Sequence, residues 1–221
     1  MKLTAFRYGT TEINEGMAFT GGDKNVKIPI SLLFFLLEID NRKILIDTGC
    51  DTMPGFPLFE FKKPIEVLED YGIKAEDISD VLITHAHGDH IDCVRYYKAA
   101  EIYINENEET QAKRYVSDIN KLHTFRESLI LNDNVCFKYI GGHSPGSSIV
   151  LINTPDTVYV LCGDECYTKE NLHYAKPTAS SFNIEKSTEF VNEYRKEKYT
   201  PIIFHDEKLV EKIGGKVIFE Y

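Results

Sequence analysis

Residues 2–8 alternate in part between apolar and polar positions, and residues 31–39 form a nearly unbroken apolar run. The first pattern predicts a half-exposed strand and the second a strand buried on both faces. A turn at Asn41-Arg42 is expected to lead into the apolar stretch 43–46, which ends at Asp47-Thr48-Gly49. Gly, Pro and aromatic residues dominate 50–61 and predict an irregular loop. Helical spacing returns at Ile65, Leu68 and Tyr71, behind Pro64 and ahead of Gly72, residue types that favour a first turn and a stop. Residues 81–84 predict a short buried strand, 91–99 a helix and 102–104 another strand. Asn105 predicts a cap for the acidic turn of Glu106, Glu108 and Glu109. Strands are expected near 135–140, 148–152, 157–161, 201–204 and 216–219, with an amphipathic helix over 185–198. Strands come first and last with helices among them, which suits an α+β sandwich covered by helices. No linker or short-period repeat divides the chain, so one domain over residues 1–221 is expected.

Composition narrows the function classes. At 43% hydrophobic residues the chain can build a sizeable core, and a formal charge of -10 argues against a nucleic-acid-binding surface. The five cysteines are odd in number and contain no Cys-x-x-Cys pair, which suits a reducing compartment. Mixed polar residues follow Met1-Lys2-Leu3, without an apolar signal core. The longest apolar stretch, 28–37, is interrupted by Pro29 and Ser31 and falls well short of the roughly 20 residues of a membrane helix. A cytoplasmic protein with a small-molecule partner, and neither nucleic acid nor membrane, is the expectation.

The chemistry concentrates in Thr84-His85-Ala86-His87-Gly88-Asp89-His90, directly after the apolar run Val81-Leu82-Ile83. A strand ending in a tight loop would aim three imidazoles and a carboxylate at one point. Neutral imidazole and carboxylate are ligands that first-row metals prefer, zinc above all. Further candidates sit at later strand ends: His143 in Gly141-Gly142-His143-Ser144-Pro145-Gly146, Asp164 after Gly163, and His205 in Phe204-His205-Asp206. His123 and His173 belong to no such pattern and read as surface residues or as neighbours of the ligands.

The order His-x-His-x-Asp-His, a His in a Gly-rich turn, an Asp after a strand and a late His resembles the metallo-β-lactamase superfamily. The resemblance spans about residues 44–205 and implies a four-layer αββα sandwich with a duplicated half. By carry-over, His85, His87 and His143 would hold one divalent ion, Asp89, His90 and His205 a second, and Asp164 would bridge them. Zinc is the expected metal. An imidazole at His87, where di-iron members carry a carboxylate, implies hydrolytic chemistry.

Within that superfamily, Gly163-Asp164-Glu165-Cys166-Tyr167-Thr168-Lys169-Glu170-Asn171 is similar to the acyl-homoserine lactonases, which place a tyrosine three residues after the bridging aspartate. The resemblance implies quorum-quenching hydrolysis: attack on the lactone carbonyl by a hydroxide shared between the ions. Tyr167 would stabilise the oxyanion and Asp89 would pass a proton to the leaving oxygen. Ile91-Asp92-Cys93 departs from the small residue and glycine usual after the Asp-His pair, and Phe204 replaces a glycine. Asp92 is expected to orient a ligating histidine or to cap a helix. Met53, Phe56, Phe59 and Phe61 are candidates for an apolar groove. A hydrolase acting on another ester, lactone or thioester is the alternative; a non-catalytic metal-binding protein is the reading from a different class.

Overall fold

The computed structural model describes all 221 residues. Seven strands form the first sheet: β1 (Lys2–Asn14), β2 (Lys27–Ile39), β3 (Arg42–Ile46), β4 (Asp80–Leu82), β5 (Glu101–Asn105), β6 (Leu122–Phe125) and the C-terminal β12 (Gly214–Glu220). The second holds β7 (Ser128–Asn132), β8 (Val135–Tyr139), β9 (Ser148–Asn153), β10 (Val158–Leu161) and β11 (Tyr199–Ile202). Strand order is β12-β1-β2-β3-β4-β5-β6 in one sheet and β11-β10-β9-β8-β7 in the other. The steps from β3 to β6 are parallel, as is β10 to β11, and the remaining pairs are antiparallel.

The apolar run of β2 explains the layering. Leu33, Phe35 and Leu37 point between the sheets, where they meet Phe137, Val150, Ile152 and Leu161 of the second. Leu32, Phe34 and Leu36 point outward, into a layer built with Val67, Leu68, Ile91 and Val94. A period-two side-chain pattern that is apolar on both faces buries both. On the far side of the second sheet, Ile149 and Val160 pack against Phe190, Val191 and Tyr194. The result is four layers: helices, sheet, sheet, helices.

The helices are α1 (Glu15–Ala18), α2 (Pro64–Asp70), α3 (Gly88–Ile91), α4 (Glu109–Ala112), α5 (Lys169–His173) and α6 (Ile184–Tyr194). Pro64 opens α2, and Gly72 follows it at φ 89°. Two strands, β6 and β7, lie where no strand was expected, because their burial is partial and irregular. The helix expected at 91–99 is instead the single turn of α3 followed by a 3₁₀ turn over Asp92–Tyr96. The β2–β3 turn falls one residue earlier than expected, at Asp40 and Asn41, both with positive φ. No helix is long and apolar enough to cross a membrane.

Candidate metal centre

The loops after β3, β4, β8, β10 and β11 converge at one end of the sandwich and bring together all seven side chains singled out above. His85 Nε2 lies 2.9 Å from His87 Nδ1, and His143 Nε2 lies 3.0 Å from the same atom. Asp164 stands between two groups. Its Oδ2 is 3.8 Å from His85 Nε2 and 3.5 Å from His143 Nε2. Its Oδ1 is 3.0 Å from both His90 Nε2 and His205 Nε2. Asp89 Oδ2 is 3.6 Å from His90 Nε2. The candidate ligand atoms of His85, His87, His143 and Asp164 all lie within 4.8 Å of one another, as do those of Asp89, His90 and His205.

Hydrogen bonds on the remote nitrogens set the tautomers. His205 Nδ1 is 2.8 Å from the Ser31 carbonyl, which can only accept, so Nδ1 carries the proton. His90 Nδ1 donates to Asp47 Oδ2 at 2.6 Å in the same way. Thr84 Oγ1 gives its proton to Asp47 Oδ2 at 2.8 Å, leaving its lone pairs to accept from His85 Nδ1 at 3.1 Å. In their neutral forms these imidazoles therefore turn a bare Nε2 toward the centre. In those forms the Nε2 lone pairs of His90 and His205 face the lone pairs of Asp164 Oδ1 at 3.0 Å and repel them, and no hydrogen bond meets the neutral His90 Nε2. A cation resolves both problems, so the donor set fits divalent metal.

Electrostatics divides the site. Burial pushes His85 well below its ordinary value, with His90 adding to the effect, and burial pushes His143 down to about 4. Both are neutral at pH 7, which is the ligating form. Burial works the same way on His90, but Asp164, Asp89 and Asp47 outweigh it and hold that imidazole well above the usual range. Burial would raise Asp164; His90 and His205 overcome it and hold the carboxylate well below its ordinary value. The carboxylates around His90 thus create a strong preference for positive charge at that half of the site.

Three buried carboxylates that carried no sequence signal hold the loops. Asp47, just past β3 with φ 58°, accepts from the Thr84 amide at 2.7 Å as well as from His90. A non-glycine residue in that region is strained, and the strain is sustained by these bonds. Glu108 accepts from Ser144 Oγ at 2.6 Å, the Gly146 amide at 2.9 Å and the Ala86 amide at 3.3 Å, so it joins the His85 loop to the His143 loop. Glu165 accepts from Ser147 Oγ at 2.5 Å and from the amides of Gly142 and His143 at 3.1 and 3.2 Å. That packing explains Gly142: a Cβ there would stand 2.3 Å from Glu165 Oε2.

A cavity of about 370 Å³ opens onto the centre. His87, Asp89, His143, Asp164, Tyr167 and His205 belong to its polar and aromatic lining. Ile13, Met17, Ile30, Met53, Pro54 and Phe56 form its apolar wall. The Tyr167 ring stacks on His205 at 5.2 Å, and its hydroxyl lies 3.4 Å from Ser180 Oγ. Burial, reinforced by Asp164, pushes the phenol well above its usual range, so it remains a donor. Of the expected groove residues, Met53 and Phe56 line the cavity. Phe61 packs edge-on against Tyr8 instead, and Phe59 is exposed at the Thr10 bridge. Asp92 contacts no histidine; it accepts from the Asp51 amide at 3.0 Å. His123 pairs with Glu101 at the surface, and His173 is exposed.

Comparison with known proteins places the chain in a family and a fold. The family profile described as the metallo-beta-lactamase superfamily matches residues 33–205. An N-acyl homoserine lactonase of Bacillus cereus is 28% identical, with 85% of each chain covered. A solved N-acyl homoserine lactone hydrolase with N-hexanoyl-L-homoserine at its catalytic metal centre superposes with a TM-score of 0.82 at 19% identity, over 94% of both chains. AidC, a dizinc quorum-quenching lactonase, superposes at 0.74 and 16% identity, over 92% of this chain and 86% of its own. At such identities the two solved structures speak to the fold alone.

Proposed function

The chain belongs to the metallo-beta-lactamase superfamily, and from that premise we propose that it is a metal-dependent hydrolase that opens the ring of N-acyl homoserine lactones. The observation that carries the proposal is the cavity. A phenol donor and a cluster of imidazoles and carboxylates face one end, and an apolar wall runs from it. That combination fits an acylated molecule with a polar, hydrolysable head. The Bacillus cereus relative named as a lactonase supports the same choice.

His85, His87 and His143 would hold one divalent ion, Asp89, His90 and His205 a second, with Asp164 between them; zinc suits this set of nitrogen and oxygen donors. Bound there, the ions would supply a water that deprotonates near neutral pH and Lewis-acid polarisation of the carbonyl. The rest falls to the chain. Tyr167 donates a hydrogen bond to the carbonyl oxygen as negative charge develops on it. Asp89, which lines the cavity, accepts a proton at its carboxylate and returns it to the ring oxygen as that oxygen leaves. Met17, Ile30 and Phe56 exclude water from the acyl chain and hold the head against the centre.

The test is metal analysis of the purified protein paired with turnover of an N-acyl homoserine lactone, a thioester and a phosphodiester. Lactone opening that requires metal and exceeds the other two activities is expected. A full metal complement without lactone opening refutes the substrate, and preferred thioester cleavage moves the assignment to that class.

A further inference from the structure

A second cluster of polar groups stands beside the cavity and shares no residue with the centre. Asp51, Asp92 and Cys93 offer three candidate metal-binding atoms within 4.8 Å. Arg95 already supplies the positive charge there: its Nη2 is 2.6 Å from Asp51 Oδ2 and its Nη1 2.6 Å from Asp92 Oδ1. Tyr96 donates its phenol proton to the same Asp51 oxygen, and Cys93 Sγ lies 3.6 Å from the other. The Asp51 amide in turn donates to Asp92 Oδ2 at 3.0 Å. The cluster is a closed ion network rather than a vacancy for a cation.

Its position gives it a consequence. Asp51 begins the loop whose residues Thr52, Met53, Pro54 and Phe56 face the cavity. At the loop's far end Thr10 and Phe59 exchange two backbone hydrogen bonds of 2.9 Å. Between these posts the single backbone bond is Phe56 N to the Met53 carbonyl, at 3.0 Å. Asp92 and Arg95 belong to the 3₁₀ turn that follows α3, two and five residues beyond His90. The network therefore ties the Met53, Pro54 and Phe56 part of the apolar wall to the segment that carries Asp89 and His90.

We propose that the Asp51–Arg95–Asp92 network is a clamp that sets the position of the loop over residues 52–58 and thereby the enzyme's selectivity for long acyl chains. Arg95 is a positioning residue in this scheme and touches no substrate. An isolated surface ion pair is worth little, but a guanidinium held by two carboxylates, one of them also bound by Tyr96, is a network with fixed geometry. Removing the guanidinium leaves the Asp51 amide–Asp92 and Tyr96–Asp51 bonds but takes away the charge that locks the two carboxylates together, and so loosens one of the two posts. Met53 and Phe56 would then give up the contact of about one to two methylenes of an acyl chain, or about 4–15-fold in affinity.

The selectivity half of the proposal rests on the lactonase assignment; the clamp itself does not, and the experiment separates them. The metal-loaded Arg95→Met variant is compared with wild type in two ways. Hydrogen exchange should show the Phe56 amide exchanging at least several-fold faster while the Phe59 amide keeps its protection; unchanged exchange at Phe56 overturns the clamp. Kinetics should show KM for N-decanoyl homoserine lactone rising about 4–15-fold, with kcat and KM for the N-butanoyl compound within about twofold. Equal losses on both substrates would reduce the network to general stability and overturn its role in selectivity. The double variant Asp51→Asn, Arg95→Met should add little to either single change; additive effects would also refute the clamp. If wild type opens neither lactone, the substrate assignment and the selectivity it carries fall, and hydrogen exchange still decides the clamp.

Discussion

Glu108→Gln is the most direct test of how the centre is held. The carboxylate takes three donors, and they come from the two loops that carry His85, His87 and His143. The glutamine that disturbs this least turns its amide nitrogen toward the Ala86 amide, the longest contact at 3.3 Å, and keeps its oxygen for Ser144 and Gly146. One buried amide is then unsatisfied, at a cost of about 1–3 kcal/mol. The two bonds that remain lose their ionic character, and since charge-assisted bonds are roughly twice as strong as neutral ones, about 1 kcal/mol goes with each. Relief of a buried charge offsets part of this, leaving about 3 kcal/mol. For a chain of this size that is a fall of about 6–12 °C in melting temperature. Because both loops position imidazoles, metal affinity at the three-histidine half should fall by about 10–100-fold. Thermal denaturation of apo and metal-loaded protein reads the first number, and competition with a chromogenic chelator the second. A melting temperature within about 1 °C of wild type, with unchanged metal affinity, would refute the claim that Glu108 joins the loops.

Three further outcomes are expected. Tyr167→Phe should lower kcat on the lactone by about 10²-fold, the usual effect of removing an oxyanion donor. Its melting temperature should barely move, since the hydrogen bond that the hydroxyl accepts from Ser180 is long, at 3.4 Å; a kcat within twofold of wild type in steady-state assays would remove the residue from the mechanism. Asp89→Asn should retain at least one metal equivalent by elemental analysis yet lose most turnover, and full activity would refute the proton-transfer role. Chelation should destabilise the protein: each ion at about a hundred times its Kd contributes about 2.7 kcal/mol, or about 5–11 °C per ion in a thermal scan. A scan insensitive to chelator would mean that the clustered imidazoles do not depend on metal.

The parts of the fold visible in the sequence are those that bury long apolar runs. The run of β2 announces a strand with two dry faces, and it is this double burial that forces four layers. The strands β6 and β7 stayed hidden because their residues are half-exposed, so period-two patterning is weak, and their pairing is decided by neighbours far along the chain. The same division runs through the site. Five of the seven candidate ligands were legible because imidazoles clustered at strand ends have few ordinary uses, and Asp89 and Asp164 because they complete the pattern that resembles the superfamily. The residues that orient them were not. Glu108 reads as one more charge in an acidic capped turn, and Asn105 does cap it, accepting from the Asn107 amide at 3.1 Å. Yet the Glu108 side chain turns inward, which only the tertiary packing of two distant loops can reveal. Glu165 was passed over for the same reason.

That asymmetry has a physical origin. Ligands must meet a metal's own demands for nitrogen and oxygen donors, so their identities are constrained by chemistry outside the protein. Orienting groups need only present an acceptor at the right place, and Asp, Glu or a main-chain carbonyl all serve. In this chain Asp47 fixes His90, the Ser31 carbonyl fixes His205, and Thr84, itself fixed by Asp47, fixes His85. Asp47 therefore governs one imidazole from each half of the centre. Its left-handed backbone is sustained by the bonds that also set both tautomers, so loss of this carboxylate should disturb the two halves together rather than one alone. The loop over residues 52–58, which lines part of the cavity, is under neither constraint. It hangs between the Asp51 network and the Thr10 bridge, and this is where the sequence departs from the lactonase pattern, at Asp92 and Cys93. On the proposed scheme chemistry and selectivity are held by different groups, so the Met53 and Phe56 part of the wall can be altered at Arg95 without touching a candidate ligand.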